Sequence, residues 1–83
     1  MKVRIRYFAS VREALSSSGE TVDTAAGTLA ALRDELIARG GAYASALARG
    51  KAVRMALDQA MSDEAAALRD DCEVAFFPPV TGG

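Results

Sequence analysis

The sequence contains no histidine and a single cysteine, Cys72, among its 83 residues. Without imidazole and with one thiol, the chain cannot build a His/Cys metal cluster, an internal disulfide or a Cys-His nucleophile. A lone thiol suits a reducing cytoplasm, and the neighbours of Cys72, Asp71 and Glu73, are acidic and supply no positive charge to activate it. It therefore reads as a small, semi-buried residue. An excess of one charge is also lacking: 10 basic residues stand against 11 acidic ones. The basic residues form no run, so nucleic-acid binding has no electrostatic footprint. No apolar run approaches the ~20 residues of a spanning helix. Lys2 and Arg4 interrupt the stretch where a signal peptide would need to be apolar. These absences predict a soluble, cytoplasmic protein that avoids membranes. Length adds a limit, since a chain of 83 residues permits one domain and buries only about 60–65% of its unfolded surface. A deep catalytic pocket beside a full core does not fit.

Proline is scarce as well, and its two copies are adjacent: Pro78 and Pro79 follow Phe76-Phe77 and precede Val80-Thr81-Gly82-Gly83. Proline fixes φ, lacks an N–H and pushes its predecessor toward extended backbone. A sheet ladder should therefore stop near Phe77. The organisation predicted is a domain over 1–77 and an extended tail over 78–83. Pro78 and Pro79 make a stiff spacer, and the glycines, lacking Cβ, can thread a channel too narrow for other residues. The one reactive group at that tip is the α-carboxylate of Gly83. Ionised at neutral pH, it becomes an acyl donor only after activation, for instance by adenylation. The plain alternative is an idle terminus.

Lys2 to Phe8 alternates, with Val3, Ile5 and Tyr7 on one face and Lys2, Arg4 and Arg6 on the other, as in a half-buried strand. Phe8 falls on the polar parity, either covering the first helix or contacting a partner. Ser10 with Glu13 has the form of a capping box, and Val11 and Leu15 share a helical face. Ser16 to Gly19 reads as a loop and Glu20 to Val22 as a second strand, antiparallel to the first. Thr28 offers an N-cap to a helix whose stripe is Leu29, Leu32, Leu36 and Ile37, with Arg33, Asp34 and Glu35 outside it. Gly40-Gly41 stops that helix. Ala42 to Ala48 suggests a short helical turn. Val53, Met55 and Leu57 mark a central strand, and Asp58-Gln59 a turn into a brief edge strand at Ala60-Met61. Ser62-Asp63-Glu64 could cap a further helical piece through Leu68. The last strand, Glu73 to Phe77, is apolar on both faces, which fits a central position or a covered outer face. Order alone predicts a small mixed α+β sheet under one main helix.

The tail Phe76-Phe77-Pro78-Pro79-Val80-Thr81-Gly82-Gly83 after Glu73-Val74-Ala75 resembles the C-terminus of the small, sulfur-carrier subunits of molybdopterin synthase, the MoaD family. Tyr7-Phe8-Ala9-Ser10-Val11-Arg12-Glu13 is similar to that family's opening. Lys51 to Leu57 with Asp58-Gln59 is similar to its central strand and turn. The segment from Ser16 to Arg49 matches only in length and helical character. The resemblance implies a ubiquitin-like β-grasp fold, with the last strand beside the first in the sheet centre. It also implies that Gly83 is adenylated by an activating enzyme of the ubiquitin-activating type, which uses ATP and magnesium. This chain itself would bind no cofactor or metal. Gly83 is then converted to a thiocarboxylate, with sulfur supplied indirectly by a sulfur-donating enzyme. Inserted into the large subunit of molybdopterin synthase, in a heterotetramer of two small and two large subunits, it would give sulfur to cyclic pyranopterin monophosphate. The chain alone would catalyse nothing. By the same resemblance Pro78, Pro79, Val80, Thr81 and Gly82 form the inserted tail, and Phe8 with Phe76 a hydrophobic docking surface, though Phe76 also reads as ordinary core.

Two departures stand out. Asp70-Asp71-Cys72 occupies the place of a frequent Asp-Gly-Asp, so a turn that glycine would ease falls to Asp71. Asp58 stands where Asn is frequent. The acidic stretch Asp63, Glu64, Asp70, Asp71 and Glu73 reads as a solvated face. Alternatives are the thiamine-thiazole sulfur carrier, which also ends in Gly-Gly, a ubiquitin-like protein modifier, and an interaction module with an inert tail.

Overall fold

The computed structural model describes residues 1–79; the expectations placed on Val80, Thr81, Gly82 and Gly83 lie outside them. The first strand, β1 (Lys2–Tyr7), keeps its alternation, with Val3, Ile5 and Tyr7 buried and Lys2, Arg4 and Arg6 exposed. The ladder runs one residue further than the strand, because the Phe8 N–H donates to the carbonyl of Phe76 at 3.1 Å. The chain must then turn at once, and Ala9 does so at φ +50°. The helix α1 (Ala9–Leu15) therefore starts directly behind Phe8, which is its N-cap without a side-chain bond. This corrects the Ser10 cap: Ser10 already lies inside the first turn.

A left-handed Ser16 (φ +52°) ends α1 and leads into β2 (Gly19–Asp23), antiparallel to β1. Gly19 is required here, since a Cβ would stand 2.5 Å from the Ile5 carbonyl oxygen. Thr28 caps α2 (Leu29–Ile37) as its sequence predicts, its hydroxyl accepting the Ala31 N–H at 3.2 Å. Leu29, Leu32 and Leu36 are wholly buried.

Arg33 departs from the expectation. It is buried beside those leucines. Its guanidinium donates to the carbonyls of Leu47 (2.8 Å), Ala48 (2.7 Å) and Lys51 (3.2 Å). These carbonyls follow α3 (Gly41–Ala46); those of Ala48 and Lys51 also accept the N–H groups of Lys51 (2.9 Å) and Val53 (3.0 Å), so Arg33 gives the Leu47 carbonyl its partner and adds a second bond to the other two. Burial, then the nearby charge of Arg49, holds its pKa below the usual value.

Strand β3 (Arg54–Leu57) joins β4 (Ala60–Ser62) through Asp58 and Gln59. Both turn residues have positive φ, 49° and 68°, as a two-residue type I′ hairpin requires. The helical piece expected from Ser62 to Leu68 does not form. The Glu64 and Ala66 carbonyls instead accept the N–H groups of Ala30 (2.9 Å) and Leu29 (3.1 Å), so this segment caps the start of α2 and cannot use those oxygens for its own helix. Asp71 takes the turn into the last strand at φ +63°.

That strand, β5 (Cys72–Phe77), is the middle of the five-stranded order β2-β1-β5-β3-β4. It runs parallel to β1 and antiparallel to β3. The sheet centre is therefore β5, and β3, expected as central, is fourth in the order. The helices cover one face, where Val3, Ile5, Tyr7, Val74 and Phe76 meet Leu29, Leu32, Leu36 and Leu47. Cys72 is buried in the same core as a free thiol.

Phe76 has no exposed surface, and its ring stacks on Tyr7 with centroids 6.2 Å apart and planes 22° apart. The expectation that Phe76 docks a partner is corrected on this point. It shares a face with Val74, and that face is the core. Truncating Phe76 to Ala should lower the unfolding free energy by about 3–5 kcal/mol, read from urea denaturation. A loss below about 1 kcal/mol would remove it from the core.

Tyr7 is held in turn by Glu20, whose carboxylate accepts its hydroxyl at 2.8 Å, that of Tyr43 at 2.9 Å and the Arg39 guanidinium at 2.9 and 3.0 Å. Burial pushes the Glu20 carboxyl up, but the bonds from Arg39, Tyr7 and Tyr43 outweigh it, so its pKa lies below the ordinary value. Burial, then the bond to Glu20, pushes the Tyr7 phenol up. A carboxylate depressed on folding contributes stability that is complete above its unfolded pKa of about 4.3 and fades as pH falls through the lower folded value. Melting temperature followed from pH 6 to pH 3 should thus drop below about 4.3. Glu20→Gln should be less stable at pH 6, with a flatter acid limb, and an unchanged limb would exclude Glu20 as a contributor.

Candidate functional site

The site has two parts, the root of the tail and the sheet face that no helix covers. At the root, Phe77 pairs with Arg54 in the last rung of the β5 ladder. Pro78, with no N–H to give, ends it where the sequence predicts. Pro78 and Pro79 are half-buried. Pro78 also borders a cleft of about 360 Å³ whose walls include Ser10, Val11 and Ala14 of α1 and Lys51 of the loop before β3. The tail thus leaves from the middle strand of the sheet, two residues beyond the fully buried Phe76.

The open face follows from register. Arg6, Ala75, Ala56 and Met61 lie opposite one another across β1, β5, β3 and β4. The next row toward the tail holds Phe77 and Arg54, with Phe8 continuing β1 in extended backbone (φ −128°, ψ 155°). Phe8 is 42% and Met61 59% exposed, Phe77 is half-buried, and the Arg6 guanidinium lies 5.6 Å above the Phe8 ring. The apolar surface is therefore Phe8, Met61 and Phe77, with Ala56 and Ala75 buried between them. On the far side, Arg4 pairs with Asp71 (3.2 Å) and Glu73 (3.7 Å), and Arg69 with Asp58 (3.3 Å). The Glu73 backbone N–H, donated to Asp58, leads the contacts that hold the Asp58 carboxyl below its usual range.

Of the site residues read from sequence, Phe8 lies on this face and Pro78 and Pro79 at its edge; Phe76 lies beneath it. Phe77 and Met61 were missed. Their signal was parity: Phe77 alternates with Val74 and Phe76, and the two-residue turn at Asp58-Gln59 sets Met61 opposite Ala56. The acidic residues Asp63, Asp70 and Asp71 are exposed, while Glu73 is half-buried in the row beside Arg4. Among the described residues no group of three or more His, Cys, Asp or Glu side chains is placed to hold a metal ion, and no helix is long and apolar enough to cross a membrane.

Comparison with known proteins gives concordant matches. A family model described as ThiS family matches residues 5–83. The molybdopterin synthase sulfur carrier subunit of Escherichia coli is 38% identical over 81 residues, covering 98% of this chain and 99% of that protein. Among solved structures, SAMP1 of Haloferax volcanii superposes with a TM-score of 0.79 at 22% identity, covering all of both chains. A chain from the complex of subunits 1 and 2 of molybdopterin-converting factor from Helicobacter pylori also covers all of both chains, with a TM-score of 0.70 at 24% identity. At these identities the two structures establish the shared fold.

Because Phe8 and Met61 project from the sheet with little covering them, Phe8→Ala and Met61→Ala should each leave the unfolding free energy within about 0.5 kcal/mol of the parent. A loss above about 2 kcal/mol in chemical denaturation would show that these side chains serve the fold itself.

Proposed function

We propose a function from one premise: the chain belongs to the ThiS family. Within that family we read it as the sulfur-carrier subunit of molybdopterin synthase, acting in molybdenum cofactor biosynthesis in the cytoplasm. The observation that carries this reading is the end-to-end similarity to the sulfur carrier subunit of Escherichia coli. It is joined by a tail root anchored in the sheet centre beside an apolar open face.

In this reading the Gly83 carboxylate attacks the α-phosphorus of ATP, held with magnesium by an activating enzyme, and pyrophosphate leaves. A sulfur donor then displaces AMP, which carries away one carboxylate oxygen, and a thiocarboxylate remains. Sulfur is softer and more nucleophilic than the oxygen it replaces. Inside the large subunit the thiocarboxylate sulfur attacks cyclic pyranopterin monophosphate and forms a thioester; water then cleaves the acyl C–S bond, the sulfur stays on the pterin, and Gly83 returns as a carboxylate to be charged again. A large-subunit partner accords with the subunit complex of the Helicobacter pylori neighbour, and we propose the assembly to be two small and two large subunits. The domain's share of the work is mechanical and steric. Pro78 and Pro79 stiffen the stem, while Val80, Thr81 and Gly82 enter the partner's channel with Gly83 at the tip. The acid-base groups belong to the large subunit.

Intact-mass measurement of the chain purified from its own cell tests the carrier step. A fraction heavier by the difference between one sulfur and one oxygen is expected, and covalent conjugates to other proteins in its place would mark a modifier. Deleting Gly83, or adding a residue after it, should abolish molybdopterin formation in a reconstituted synthase. The melting temperature should stay within a few degrees, as for change at a chain terminus. Full activity after either change would overturn the reading.

A further inference from the structure

The open face carries two arginines that pair with no carboxylate among the described residues. Arg4, Arg33, Arg39, Arg49 and Arg69 each hold a carboxylate oxygen within ion-pair distance. Among the described residues Arg6, Arg12 and Arg54 form no such pair, and two of these three sit on the apolar face. Arg6 stands in the row of Ala75, Ala56 and Met61, and Arg54 directly opposite Phe77. Two strand spacings and two residues of rise separate them, so their Cα atoms lie roughly 12 Å apart, diagonally across Ala75 and Phe77. Asp63 and Glu64 border the same hollow as Arg54. Their contacts go elsewhere: Asp63 accepts the Ala65 N–H, and Glu64 pairs with Arg33 and Arg49. Stacking on Phe8 also settles the Arg6 guanidinium before any partner arrives.

We infer that Arg6 and Arg54 are the charge-reading residues of the docking face, and that the protein receiving the tail presents an apolar socket flanked by two carboxylates on opposite sides. The inference rests on the proposed function, whose large subunit is the occupant meant. A guanidinium is weakly hydrated and forks onto a carboxylate, so it suits the edge of an apolar contact better than an ammonium would. Rim charges of this kind act mainly on encounter rate and partner choice, while the apolar centre governs residence time. An anionic polymer fits poorly, because Asp58, Asp71 and Glu73 line the far side of the same face.

The test is the association rate of the full chain with the purified large subunit, at low and high salt. Reversing both charges, Arg6→Glu with Arg54→Glu, should slow association tenfold or more at about 20 mM salt, with most of the difference gone at about 500 mM. Arg6→Gln with Arg54→Gln should slow it about threefold or more and flatten the salt dependence. Ala31→Glu with Ala38→Glu, on exposed positions of the helix layer, makes the same net charge change as the glutamine pair and should stay within about twofold of the parent. Circular dichroism confirms folding, and should the glutamate pair fail to fold, the glutamine pair carries the comparison. If the parent binds and Phe77→Ala weakens it, yet the folded arginine variants match the parent in rate and salt dependence, this inference falls while the proposed function stands. If the parent itself does not bind the large subunit, the proposed function falls and takes the inference with it.

Discussion

The structure depends on the parallel pairing of β1 with β5. These two strands, one from each end of the chain, meet in the middle of the sheet, and the contact is sealed from below by Tyr7 lying on Phe76. Loop closure over some seventy residues is entropically unfavourable, so a pairing between the chain's ends must be supported by burial on both strands. Here it is: Val3, Ile5, Tyr7, Val74 and Phe76 are each almost wholly excluded from water. The Glu20 carboxylate extends that support sideways, drawing β1, α3 and the segment after α2 onto one acceptor through Tyr7, Tyr43 and Arg39. The tail then begins two residues past Phe76, the best-held point of the fold.

From that pairing follows a division of labour between the two faces of one sheet. Strand alternation assigns Tyr7 and Phe76 to the core and Phe8 and Phe77 to the opposite side. Adjacent aromatic residues at the ends of β1 and β5, Tyr7-Phe8 and Phe76-Phe77, thus lie on different faces, and the second of each pair stands on the open face near the root of the tail. The hairpin at Asp58-Gln59 adds Met61 to that side. Lys2, Arg4 and Arg6 come from alternate positions of one strand and Arg54 from another. A charge distribution without runs in sequence therefore becomes a patterned surface in the fold.

Much of this was legible in the sequence for physical reasons, and the failures are equally specific. Alternation in Lys2 to Tyr7, the Thr28 cap, the turn at Asp58-Gln59 and the proline stop after Phe77 are local signals read by local rules, and each holds. Arg33 failed because its chemistry argued against its geometry: it lies four residues after Leu29 and three before Leu36, on their face, and the carbonyls after α3 together with the Glu64 carboxylate make that position habitable for a guanidinium. Ser10 lost its cap because β1 runs on to Phe8 through a bond to Phe76, a partner distant in sequence. The segment from Ser62 to Leu68 could not become a helix because its carbonyls are engaged at the start of α2. For Phe76, the family resemblance suggested a contact residue, whereas counting parity from Val74 would have placed it inside and Phe77 outside.

The parallel ladder between β1 and β5 has a mechanical consequence. In the proposed function the chain's end would be withdrawn from the partner's channel each time it is recycled, and the pull would act along the axis of β5. Because β1 lies alongside, the hydrogen bonds between the two strands share such a load in shear and do not open one after another like a zipper. Withdrawal would therefore load the whole seam at once, and would not unravel the domain strand by strand from that end.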